Sequence, residues 1–102
     1  MTDRELLELA AKAVGVKRLV AGGSFMAMKD NLMAVWNPLT DDGDALRLAV
    51  KLELKIDPCG DDVYVADKIR LLTDESLLTD DPYAATRRAI VRAAAEIGKE
   101  LK

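Results

Sequence analysis

The chain has 102 residues and a mass of 11.1 kDa, room for one domain spanning 1–102, because domains cluster near roughly 100 to 150 residues. Apolar residues make up 50% and charged residues 32%, which excludes intrinsic disorder, collagen-like repeats and a disulfide-stapled miniprotein. Histidine is absent and Cys59 is the only cysteine, so the common neutral-pH general base, the Ser-His and Cys-His nucleophile pairs and a single-chain thiolate zinc site are all removed.

A net charge of −3 gives no long-range attraction to nucleic acid. The start, Met1-Thr2-Asp3-Arg4-Glu5, carries no apolar leader, and no apolar run approaches the roughly 20 residues that span a bilayer. The expected setting is a reducing cytoplasm, with no membrane or nucleic-acid partner and no cofactor.

Thr2-Asp3-Arg4-Glu5 is a capping box in which each end residue can satisfy the other's backbone N–H. A helix is predicted from Asp3 to Val14, with Leu6, Leu7, Leu9, Ala10, Ala13 and Val14 on its apolar stripe and Gly15 as its stop. Lys17 and Arg18 then complement the negative end of the helix dipole.

Beyond Val16 the helical period disappears. Gly22-Gly23, then Ser24 to Met28 and Leu32 to Trp36, predict two strands around a turn at Lys29-Asp30-Asn31. Both faces of this hairpin are apolar, whereas a one-sided sheet alternates, so a second layer or a partner must cover the outer face. Phe25, Met26, Met28, Met33 and Trp36 are therefore the candidate interaction surface. Trp36 also has a simpler role, sealing the sheet edge against the core.

Asn37-Pro38 ends the strand, and Thr40-Asp41-Asp42-Gly43-Asp44 supplies caps for a second helix through Ala45, Leu46, Leu48, Ala49, Val50 and Leu52. From Leu52 the pattern alternates, Leu52, Leu54 and Ile56 against Glu53, Lys55 and Asp57, turns across Pro58 to Asp62, and resumes in Val63-Tyr64-Val65. Cys59 lies in that turn among carboxylates that oppose thiolate formation, which marks it as inert. Lys68 to Thr79 reads mostly as loop, with a short edge strand at Ile69 to Thr73 as the alternative.

Asp81-Pro82 opens a third helix that runs to about Glu100, with Tyr83, Ile90, Ala94, Ile97 and Leu101 on its apolar stripe. Arg92 and Glu96 are spaced as an i,i+4 pair. The predicted order is α-β-β-α-β-β-α. The starts of the second and third helices echo one another, Thr40 to Ala45 and Thr79 to Ala84. Convergent helix-start chemistry explains the echo, with duplication as the alternative.

Two stretches together, Trp36 to Leu52 and Asp80 to Val91, resemble small phage and prophage proteins of the phage ABA-sandwich type, distantly similar to the NinX-like proteins of lambdoid phages. The resemblance covers about a third of the chain by those stretches. It implies an α+β fold, a three-layer α-β-α sandwich with a small, mainly antiparallel sheet, in a prophage-encoded protein of the bacterial cytoplasm. It carries no established activity and no catalytic residues.

Three acids, Asp41, Asp42 and Asp44, suit a hard cation in type, but their spacing lacks the calcium-loop pattern, and helix capping accounts for them. Asp80 and Asp81 take the same reading. Arg87, Arg88 and Arg92 are candidate anion contacts, although Asp80 and Asp81 guard the helix start and a solvated basic stripe explains the arginines as well. With no catalytic constellation, the expected function is a non-enzymatic interaction or self-associating module that binds a host protein or its own copy. The alternative is a protein that sequesters a nucleotide-type ligand between subunits. A carboxylate-and-metal hydrolase ranks third.

Overall fold

In a computed structural model, which describes residues 2–18, 25–29 and 32–101, helix α1 (Asp3–Val14) begins at the expected capping box. The Thr2 hydroxyl accepts the N–H of Glu5 at 3.2 Å, and the Glu5 carboxylate accepts the N–H of Thr2 at 3.3 Å. Gly15, at φ 77°, occupies the left-handed region that closes the helix.

Strands β1 (Lys17–Arg18), β2 (Phe25–Lys29) and β3 (Leu32–Val35) form the first antiparallel sheet, in that order. The short β1 adds to the two predicted strands. The predicted Gly22-Gly23 and Ser24 start, and Asp30-Asn31 of the turn, lie outside the described residues.

Helix α2 (Asp42–Lys51) is capped by Asp41, whose carboxylate accepts the N–H of Asp44 at 2.8 Å. The alternation predicted from Leu52 is corrected at its start. Leu52 caps the helix and Glu53 takes a left-handed φ of 55°. The Leu54 N–H then returns to the Ala49 carbonyl at 2.9 Å, so a helix-terminating turn precedes the strand.

Strands β4 (Lys55–Cys59), β5 (Asp62–Ala66) and β6 (Leu71–Ser76) form the second antiparallel sheet. Pro58 and Cys59 lie in β4 rather than in the turn, which reduces to Gly60-Asp61, with Gly60 at φ 63°. Helix α3 (Pro82–Glu100) starts with Asp81 accepting the N–H of Ala84 at 3.0 Å and Pro82 in the first turn. Tyr83 and Leu101, assigned to its apolar stripe, are exposed.

Among the described residues, three helices and two antiparallel sheets thus make an α+β sandwich, with the expected sheet divided in two. Helix α3 packs on two sides. Ile90, Val91, Ala94 and Ala95 share one core with Leu6, Ala10 and Ala11 of α1, Ala45, Leu48 and Ala49 of α2, and Phe25 and Trp36. Ala89 and Ala93 pack on Val63 and Val65 of β5. Alanine and glycine on α3 permit this double contact because small side chains let backbones approach closely.

Candidate functional site

Gly15 turns the chain out of α1, which brings Val14 and Val16 to face the first sheet and α2. Between them lies a cleft of 380 Å³, with Met26 and Met33 on the sheet side and the buried Trp36 and Leu48 at its base. Arg47 and Lys51, one helical turn apart on α2, stand at its edge. The Trp36 ring meets Phe25 edge to face, centroids 6.1 Å apart and planes at 70°.

The charge around this cleft is one-sided. No carboxylate is among the described residues that line it. Arg47 donates to Asp44 at 2.8 Å and approaches Asp41 at 3.8 Å, whereas the exposed ammonium of Lys51 makes no ion pair among the described residues. Other depressions mix the two signs: one at the start of α3 is lined by Asp3, Glu75 and Asp81 with Arg88, and another by Glu53, Asp67 and Glu100 with Lys51, Lys68 and Arg70.

The structure separates the residues of the candidate interaction surface. Phe25 and Trp36 are 6% and 5% exposed, so both leave the candidate surface and belong to the core. Met33 is 57% exposed, Met26 is half-buried, and Met28 holds the register position opposite Met33. Sequence reasoning missed the exposed Leu32 and Val35 beside them.

Arg87, Arg88 and Arg92 do not converge on one point. Arg87 donates to the Leu39 carbonyl at 2.8 Å and to Asp42 at 2.6 Å, Arg88 donates to Asp3 at 2.7 Å, and Arg92 donates to Glu75 rather than to the predicted Glu96. Glu96 instead accepts from Lys99 at 3.0 Å. Each arginine thereby ties α3 to a different element, α2, α1 or β6.

The acids have local work too. Asp41 and Asp81 cap helices, and Asp44, 1% exposed, accepts the N–H of Asn37 at 2.9 Å. No group of three or more carboxylate or thiol ligands placed to hold a metal occurs among the described residues. On the outward side of the second sheet, Asp74 and then Asp62 push the phenol of the paired Tyr64 above its usual range.

The cleft joins residues that no local pattern connects. Met26, Met33 and Trp36 stand together in the candidate surface read from the sequence, but Arg47 and Lys51 do not. No helix of the described residues is long and apolar enough to cross a membrane. Comparison with protein-family models, with curated proteins and with solved structures finds no match for this chain.

Proposed function

We propose that this chain is a phage-encoded accessory protein that works by binding rather than catalysis, and that it binds a second copy of itself through the outward side of β2–β3. The exposure of Met33 and Val35, 57% and 58%, carries the reading. Met33 and Val35 are two residues apart on β3 and share one side of the strand, and Met33 also borders the cleft. Methionine suits such a contact because its flexible, polarisable side chain adapts to its partner.

A second copy related by a two-fold axis presents the same patch in return. The phage assignment rests on the resemblance of the Trp36 to Leu52 and Asp80 to Val91 stretches, and the neighbouring genes test it.

Sedimentation equilibrium over a range of concentrations tests the association. A dimer is expected, with association at least tenfold weaker in Met33→Lys, whose side chain is exposed in the monomer. A strict monomer at every concentration would overturn self-association and direct the same face toward a host protein. The small-ligand reading is favoured by one separate observation, the apolar cleft itself.

A further inference from the structure

We infer that the cleft between α1, β2–β3 and α2 is a binding site for a small apolar carboxylate, its hydrocarbon body against Trp36, Met26 and Leu48 and its anionic end at Lys51. The volume of 380 Å³ falls in the range of ligand pockets, about 300 to 1,000 Å³. Apolar walls with few polar groups are the pattern of such sites, the polar groups fixing orientation.

Charge selects the class of ligand. In a chain of net charge −3, the described residues that line this cleft include two cations, Arg47 and Lys51, and no carboxylate. Asp44 and Asp41 already draw on the charge of Arg47, so Lys51 supplies the charge that is open to a ligand. The C-terminal end of α1 would repel an anion, but the Ala11 carbonyl already accepts the N–H groups of Gly15 and Val16. A cationic amphiphile would meet Arg47 and Lys51 as like charges, and an alcohol of equal length would gain only the apolar contact.

Trp36 is the only tryptophan in the sequence and lines the cleft, so its fluorescence reports occupancy of this site. The full chain is titrated, below micelle formation, with dodecanoate, dodecanol and dodecyltrimethylammonium, following Trp36 emission and heat together. Dodecanoate is expected to change the emission saturably and to bind at least tenfold more tightly than either other probe. Lys51→Glu should lose that tenfold preference, while Lys55→Glu, an equal charge change on exposed β4, should keep it.

Four results would each overturn the inference: no saturable change in emission, equal affinity for all three probes, equal weakening by both variants, or binding heat without a Trp36 response. The inference does not rest on self-association. Sedimentation with and without dodecanoate reads the two separately, since a chain that is monomeric in both states and binds dodecanoate rejects only the dimer.

Discussion

The buried carboxylate of Asp44 joins the end of one sheet to the start of a helix by accepting the backbone N–H of Asn37 at 2.9 Å, seven residues back. Asn37 in turn fixes the following turn, its side chain accepting the N–H of Leu39 at 3.0 Å and its carbonyl the N–H of Asp41 at 3.0 Å. Arg47 donates to the other Asp44 oxygen at 2.8 Å. The path from Trp36 into α2 is therefore held by side chains rather than by a longer strand, and the base of the cleft hangs on it.

Removal of this carboxylate should be costly. Asp44→Ala leaves the Asn37 N–H without its acceptor and Arg47 without its closest anion, and an unmade bond to a charged group costs about 2 to 3 kcal/mol. Asp44→Asn keeps one oxygen for Asn37 and should lose about half of that. Urea unfolding of both variants checks the order. Equal stability of Asp44→Ala and the parent chain would deny the carboxylate this role.

Gly98 is the second point at which a single atom matters. A Cβ there would lie 2.0 Å from the carbonyl oxygen of Leu9 on α1. Alanine at a helix interior ordinarily stabilises by about 1 kcal/mol over glycine, yet here the backbones of α1 and α3 must separate. Gly98→Ala is expected to destabilise by about 3 kcal/mol, the scale of overpacking a closed core. Thermal unfolding gives the sign directly.

Much of the fold was legible because helix ends are local chemistry. Thr2, Asp41, Asp81, Pro82 and Gly15 each act within four residues, and each acts as its type predicts. Strand β6 (Leu71–Ser76) corrects the reading of Lys68 to Thr79 as mostly loop and was legible only as the short edge-strand alternative at Ile69 to Thr73, because core-facing Thr73 and Glu75 are polar. Thr73 pairs with Val65 and Glu75 with Val63, and Glu75 is tolerated there because Arg92 of α3 donates to it. That partner comes from a distant segment, outside any local period. The cleft was hidden for the same reason, and Trp36 showed its type but not the side of the sheet it would take.

Glu53 misled the strand reading in a way that can be tested. Its φ of 55° is a conformation that costs an L-residue roughly 1 kcal/mol and costs glycine nothing. Its ion pair with Lys68 at 3.0 Å joins two exposed side chains and is worth little. Glu53→Gly should therefore stabilise the chain by about 0.5 to 1 kcal/mol, read as a raised urea midpoint. Lower stability would mean that the exposed ion pair outweighs the backbone term.

Acid should weaken the contact between the β5–β6 loop and the end of α3. The Arg70 guanidinium donates to Glu100 at 2.7 Å and holds that carboxyl below its ordinary 4.5. The N–H of Ile69 foremost, and then the N–H and guanidinium of Arg70, hold Asp67 below its ordinary 3.8. Both groups release a proton more readily when folded. Their stabilisation is complete above the ordinary values and is lost as pH falls through the lower, folded values. Thermal melts from pH 7 to pH 3, roughly the window in which carboxylates titrate, should show the parent chain losing its advantage over Arg70→Ala at the acid end. A difference between the two chains that stays constant across the range would remove both carboxylates as its cause and leave only the packing of the arginine stem.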